Sequence, residues 1–325
     1  MSVMRIGVLT SGGDTPGMNA AIRAVVRRGL SFGDVVLGVY HGYEGLMDGR
    51  VKQLQSSDVH GIIQRGGTIL RTARSEVFRT PEGQAKAMQL KQKTAYEMDA
   101  LIVIGGDGSF HGAQALAELG MNVMGIPGTI DNDIGYTDFT IGFDTAVNNV
   151  MGEMEKIRDT MRSHDRVAVV EVMGRACGDI ALWSAMTAPA DIVLTPESPR
   201  DWGEAASQLM HNKLMGRFTS MVIIAEGAGK AEDFAKFVQE HTDVEIKPVV
   251  LSYIQRGGAP SAADRMLATR LGARAVELIH EGVRNRALGI HDNHIVDVDI
   301  KDSTAHNENY DQSLYELHSK MNRIY

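Results

Sequence analysis

The segment IPGTIDNDIG, Ile126 to Gly135, places two carboxylates, Asp131 and Asp133, two positions apart directly after a short apolar run. Pro127 and Gly128 precede them and restrict how far the loop can swing. A third acid, Asp107, lies in IGGDGS behind another apolar run. A carboxylate beside a phosphate repels it unless a divalent cation or a transferable proton lies between them. The combination points to phosphoryl transfer, in which a protein positions in-line groups, neutralises charge with Mg²⁺ and basic side chains, and supplies a base for an attacking hydroxyl. In this reading Asp131 accepts the hydroxyl proton, while Asp133 holds the loop or a second polar group. Taken alone, a DND triplet is better read as an Asx-turn bonded to its own backbone.

The glycines argue for a phosphate ligand. Four apolar runs lead into TSGGDTPGMN, GGDGSFHG, PGTIDND and MGRACGD, turns that open on one edge of a sheet if the runs are parallel strands. Glycine lets a ligand approach the backbone, and the following helix aims its N–H groups and positive dipole end at it. A single such turn is better explained by tight strand-to-helix geometry; four on one edge favour a site. There is no GxxxxGK[ST] run and no GxGxxG, the nearest segment, GDGSFHG, being one residue too long. A Walker-type NTPase and a dinucleotide dehydrogenase are both disfavoured.

The elements that must hold these turns follow from periodicity. MRIGVLT, ALIVIGG, NVMGIPG, RVAVVEVMG, DIVLT, TSMVIIAEG and PVVLSYIQRGG read as buried parallel strands. Residues 18–30, 112–119, 145–161, 178–186 and 262–280 have helical spacing. The alternation predicts an α/β fold with mainly parallel sheet. At 325 residues and 43% hydrophobic content the chain is long enough for two packed domains, although composition marks no linker between them. One cysteine, Cys177, excludes a disulfide framework, and with no leader-like N-terminus the expected location is the cytoplasm. No apolar run approaches the roughly 18–20 residues that span a bilayer. A net charge of −8 offers no general attraction to nucleic acid or anionic membrane. His291, His294 and the tail from Lys301 to Tyr325 read as exposed loop and terminal helix, with too few ligands for a metal site.

IGVLTSGGDTPGMNAAIR, RGGTILRTAR, IGGDGS, PGTIDNDI, TIGFDTA, IRDTMRSHDR, VVEVMGR.CGD and IQRGG, in this order over about the first 290 residues, closely resemble the bacterial ATP-dependent 6-phosphofructokinase family. The resemblance implies two similar Rossmann-like three-layer domains, residues 1–141 with 256–305 for ATP and 142–255 with 306–325 for fructose 6-phosphate. It also implies a homotetramer with active sites shared between subunits. Carried over by position, Gly13, Tyr43, Arg74, Ser75, Phe78, Gly106, Asp107, Gly108, Ser109 and Gly112 line ATP, and Asp107 serves Mg²⁺. Thr129 contacts the transferring group, Asp131 is the base, and Arg175 and Arg74 stabilise charge on the phosphoryl oxygens. Ile130, Met173, Gly174, Glu226, Ile254 and Gln255 frame the sugar, and Arg166 and Arg256 take its 6-phosphate, Arg166 from the neighbouring subunit. Without the resemblance, Arg74 and Arg166 read as solvated charges, Glu226 as a strand-end cap, and Tyr43 and Phe78 as ordinary packing.

Three departures matter. Tyr253 stands where the family has histidine, and Lys247 where arginine reaches over from the adjacent subunit; the lysine loses the bidentate fork. Gly108 and Gly128 replace the aspartate and lysine of pyrophosphate-using relatives, which favours ATP over pyrophosphate as donor. Arg23, Arg27 and Arg158 match an effector site for ADP or phosphoenolpyruvate, but Met215 to Thr219, with Arg217, replaces a lysine-rich run, Gly61 an acid, and Asp191 shortens a glutamate. Weak or absent effector response is expected. The alternatives are a pyrophosphate-dependent or tagatose 6-phosphate kinase, or a non-catalytic sugar-phosphate sensor.

Overall fold

The computed structural model describes residues 3–91, 97–188, 190–304 and 310–322. In chain order the first elements are β1 (Arg5–Thr10), α1 (Met18–Phe32), β2 (Val35–Val39), α2 (Gly42–Asp48), β3 (Val51–Gln53), α3 (Pro81–Lys91), β4 (Ala100–Gly105), α4 (Asp107–Glu118), β5 (Val123–Thr129) and β6 (Ile141–Gly142). Then come α5 (Phe143–Ser163), β7 (Val167–Val172), α6 (Asp179–Thr187), β8 (Ile192–Leu194), α7 (Trp202–Leu214), β9 (Met221–Ala225), α8 (Ala231–His241) and β10 (Ile246–Val250). The last are α9 (Ala262–His280), β11 (Arg286–His291), β12 (His294–Asp299) and α10 (Gln312–Met321). The chain divides into a first unit of residues 1–130, 134–144 and 256–307 and a second of 131–133, 145–255 and 308–325. The expected boundary at residue 305 lies outside the described residues, which omit 305–309.

In the first unit the strands run in the order β12-β11-β5-β4-β1-β2-β3, with β6 beside β5. The strands from β11 to β2 are parallel, and β12 and β3 close the edges antiparallel. The chain leaves β1 toward β2 and returns to β4 on its other side, so the sheet reverses between β1 and β4. Apolar layers cover both faces, one built around Ile22, Val25, Leu271 and Val276 of α1 and α9, the other around Phe110 and Leu116 of α4. Truncating Leu271, fully buried in the first layer, to alanine would cost about 2–5 kcal/mol.

The second unit carries a parallel sheet in the order β10-β7-β9-β8. Its core joins Val169, Ile192 and Ile224 to Leu209 and Phe234 of α7 and α8. The run PVVLSYIQRGG does not continue as a strand: β10 ends at Val250, Ser252 turns left-handed at φ 46°, and Ser252–Arg256 form a 3-10 turn. His291 and His294 are not in a loop but face each other across the β11–β12 hairpin, turned by Asp292 and Asn293 at φ 47° and 63°. The terminal helix is largely exposed, with Leu317 and Met321 at 46% and 69%, but is pinned by buried His318, whose ring nitrogen lies 3.0 Å from the Ala190 carbonyl; the tail residues 305–309 and 323–325 lie outside the described residues. No helix among the described residues is long and apolar enough to cross a membrane.

Candidate active site

Ligands of open α/β sheets bind beyond the carboxyl ends of the strands where the order reverses. In the first unit that place is the pair of turns after β1 and β4, where two of the four predicted glycine turns lie; PGTIDND ends β5 of the same sheet, whereas MGRACGD follows β7 in the second unit's sheet, so the four do not share one sheet edge. The two helices that follow start without a capping side chain, α1 on Gly17 and α4 on Gly106. Asp201, Ser261 and Asp311 cap α7, α9 and α10 with side-chain oxygens, while α2, α6 and α8 also start without a side-chain cap. Omitting the cap keeps the helix N-terminus available to an anion.

Asp107 is the first residue of α4, with 43% of its side chain exposed and the His111 ring 3.3 Å away. A Cβ added at Gly108 would meet nothing within 4 Å, so that position opens on free space. At Gly128 a Cβ would point to Ile104 and Met18 at 3.1 and 3.4 Å. Gly128 therefore faces core, and only Gly108 supports the donor argument. Gly106 abuts Thr129, whose Cβ is 3.2 Å from the place a Cβ would take.

Tyr43 and Phe78 stack at 4.0 Å with planes 3° apart, and both are buried. A Cβ at Gly112 would strike both rings, at 2.6 and 2.9 Å. The Tyr43 hydroxyl donates to the Ser109 carbonyl at 2.5 Å, and burial pushes its pKa well above the ordinary range. The ring faces are thus spent on each other and on α4: the pair holds the helix start rather than presenting an open wall. Ser75 accepts from the Phe78 amide at 3.3 Å, and Arg74 is exposed on the preceding loop. Ile130 is buried, at 3% exposure.

Arg256 is held by the first glycine turn. It counts with the first unit, where its guanidinium donates twice to the Asp14 carbonyl at 3.1 and 3.0 Å and lies 3.4 Å from the Asp14 carboxylate. Its Nη2 stands 1.8 Å from where a Gly13 Cβ would be. In this structure Arg256 is anchored on the first glycine turn, because Asp14 offers it both a carbonyl and a charge.

In the second unit Met173–Arg175 and Glu226 follow the carboxyl ends of the adjacent strands β7 and β9. The Glu226 carboxylate accepts from the Arg175 amide at 2.9 Å, and the Met173 amide donates to buried Gln255 at 3.1 Å. Gly174 is left-handed at φ 133°, and a Cβ there would sit 2.4 Å from the Cys177 carbonyl. Arg175 is itself left-handed at φ 53°, a strained state for arginine that carries its side chain to Asp131. Its Nε is 3.4 Å from Asp131 Oδ2, with 61% of the arginine and 12% of the aspartate side chain exposed. Asp133 is half-buried. The Asn132 side-chain amide donates to Asp179 at 2.9 Å, a long-range contact that an Asx-turn by itself does not make.

The remaining predicted residues are less concentrated. Tyr253 and Ile254 are 75% and 55% exposed on the 3-10 turn. Arg166 and Lys247 share Glu245, at 2.8 and 3.1 Å, at the amino ends of β7 and β10. Seven residues of extended chain, about 23 Å, separate Arg166 from Met173. Within the second unit Asp191 accepts from the Met221 amide at 2.8 Å; burial raises its pKa, while nearby Arg158 and Arg217 oppose the rise. Arg23 and Arg27 lie on α1 of the first unit. Sequence reasoning missed Asp14, Asp179 and Glu245 as partners; only the appearance of Asp14 and Asp179 inside quoted turns could have drawn notice.

No group of three or more potential metal ligands occurs among the described residues. One carboxylate at a helix start fits Mg²⁺ delivered with nucleotide phosphates, which keeps most of its own water, rather than an all-protein cage.

Comparison with known proteins accords with this arrangement. Proteins named ATP-dependent 6-phosphofructokinase from Clostridium botulinum (strain Loch Maree / Type A3) and Clostridium tetani are 50% and 52% identical, over 96% of this chain and 97% and 98% of theirs. The solved structure of phosphofructokinase from Saccharomyces cerevisiae superposes with a TM-score of 0.88 at 34% identity, covering 97% of this chain. This chain spans 50% of that one's length. A pyrophosphate-dependent phosphofructokinase from Marinobacter aquaeolei shares the fold, with a TM-score of 0.84 at 20% identity over 94% of this chain and 85% of its own. The family profile described as Phosphofructokinase matches residues 5–279, and the chain belongs to that family.

Proposed function

We propose that this protein is an ATP-dependent 6-phosphofructokinase, moving the γ-phosphoryl group of Mg-ATP to the 1-hydroxyl of fructose 6-phosphate in cytoplasmic glycolysis. The observation that carries the reading is the Asp131–Arg175 pair, 3.4 Å apart, in a chain half identical to enzymes of that name. A sensor that only bound sugar phosphate could lose both groups; this chain keeps them in contact.

In this mechanism the turns at Gly13 and Gly106–Ser109 bind the nucleotide phosphates, and Asp107 would hold Mg²⁺. The cation, when bound, neutralises phosphate charge as it develops. Gly108 leaves room for the α-phosphate of a nucleotide, which supports ATP over pyrophosphate. Asp131 takes the proton of the sugar hydroxyl while that oxygen bonds the γ-phosphorus and the bond to the β–γ bridging oxygen breaks, releasing ADP. Arg175, largely exposed, has freedom to turn from Asp131 to the transferring oxygens, with Thr129 and Arg74 assisting. Met173, Gly174 and Glu226 frame the sugar.

The protein acts as a homotetramer with shared sites. Arg166 and Lys247 lie at the opposite end of β7 from Gly174, about 23 Å along the strand, so one sugar phosphate cannot touch both groups within a copy. Their charge serves the site of a neighbouring copy. Arg256 leaves Asp14 to meet the 6-phosphate when sugar arrives.

A substrate panel tests the function: fructose 6-phosphate, tagatose 6-phosphate and glucose 6-phosphate, each against ATP and pyrophosphate. The reading expects turnover with fructose 6-phosphate and ATP. Preference for pyrophosphate, or for another sugar phosphate, would overturn it.

A further inference from the structure

Asn132 separates the two acids of the loop, and its backbone is left-handed at φ 55°. Asparagine tolerates that conformation better than most residues, but does not require it. The Asn132 side chain reaches across 47 residues of sequence to Asp179, Nδ2 to Oδ2 2.9 Å, with both residues buried at 6% and 5% exposure. Asp179 opens α6, so its position is fixed by the helix. The same helix is entered from the Gly174–Cys177 turn that presents Arg175. One helix start is thus tied to both members of the 3.4 Å Asp131–Arg175 pair, to one by chain connection and to the other through Asn132.

We propose that Asp179 is a positioning residue for phosphoryl transfer: by accepting the Asn132 amide it holds the loop so that the Asp131 carboxylate stays in line with Arg175. The proposal rests on the kinase reading above.

A packing role alone does not explain an acid at this position. Burial pushes the Asp179 carboxyl up to about 6, with the Glu197 and Asp311 carboxylates adding to the rise and hydrogen bonds from Asn132 and Cys177 opposing it. A neutral side chain would sit there more easily. What the carboxylate offers is a charge-assisted acceptor, roughly twice as strong as a neutral one. A displacement of the base by ~1 Å is enough to cost on the order of 100-fold in rate.

The test is steady-state kinetics on the full chain with fructose 6-phosphate and Mg-ATP. Wild-type turnover is measured first, because its absence would overturn the kinase reading itself. Asp179→Ala is expected to lower kcat by about 10- to 100-fold with KM for ATP unchanged within about twofold. Asp179→Asn keeps an acceptor oxygen and should recover to within about fivefold of wild type. Asn132→Gly accepts the left-handed backbone but has no amide; it should fall as far as Asp179→Ala, and the double variant no further. Wild-type kcat in a folded Asp179→Ala protein, equal damage in Asp179→Asn and Asp179→Ala, or additive losses in the double variant would each overturn the proposal. Should Asp179→Ala fail to fold, Asn132→Gly decides: full kcat in that variant refutes the role.

Discussion

The same carboxylate makes a stability prediction. Asp179 is 5% exposed, and its pKa rises from 3.8 to about 6, mainly because burial disfavours the charged form. Between those values the folded chain binds a proton that the unfolded chain has released. Stability therefore falls as pH rises through this window and is lowest, for this group, above it. The gap between 3.8 and about 6, at about 1.4 kcal/mol per tenfold step, corresponds to ~3 kcal/mol of penalty per chain at neutral pH. Asp179→Asn removes the ionisation while leaving an acceptor for Asn132. Urea unfolding of wild type and variant, at one protein concentration because subunit association shifts apparent stability, should show the variant more stable by up to ~3 kcal/mol at pH 7.5. The advantage should shrink as pH falls from about 6.5 to about 4, through the window in which the buried carboxyl takes up its proton. Parallel pH profiles for the two proteins, or a variant less stable at neutral pH, would refute the reasoning.

Other outcomes follow from the site. Gly108→Asp has room for its side chain, so the fold should be unchanged by circular dichroism while KM for ATP rises by at least about tenfold from charge repulsion. Arg166→Ala and Asp131→Ala should each be impaired alone, but mixed oligomers should regain fructose 6-phosphate turnover, since a hybrid contains sites with both residues intact; no recovery after verified subunit exchange would mean that sites are not shared. ADP and phosphoenolpyruvate should leave the fructose 6-phosphate saturation curve unmoved, because the Met215–Thr219 turn supplies Arg217 as its one cation; a sigmoidal shift with either would contradict this.

Much of the fold was legible because its strands are buried on both faces and read as continuous apolar runs, and because α9 begins and ends where its periodicity does. One omitted element, β2 (Val35–Val39), is itself a buried apolar run; others have weaker signals. The hairpin β11–β12 is half polar, so His291 and His294 looked like loop, and the turn pair Asp292-Asn293 was the unused cue. PVVL was followed too far, since nothing local announces that Ser252 turns left-handed. At the candidate site, the glycine turns are legible from residue type and order, whereas a role for Asp131 comes only with the series of motifs, since DND alone reads as an Asx-turn. The partners are not legible: Asp14 for Arg256, Glu245 for Arg166 and Asp179 for Asn132 are pairings 242, 79 and 47 residues apart, set by tertiary packing. Burial of the Tyr43–Phe78 pair likewise depends on Gly112, far from both in sequence.

The most direct measurement is ADP release by wild type and Asp131→Ala in the presence of Mg²⁺, with and without fructose 6-phosphate. A base positioned beside Arg175 predicts release that requires the sugar and falls by on the order of 10²–10⁴-fold in the variant. Sugar-dependent turnover within tenfold of wild type (roughly 1.4 kcal/mol) in a folded Asp131→Ala protein would contradict the account.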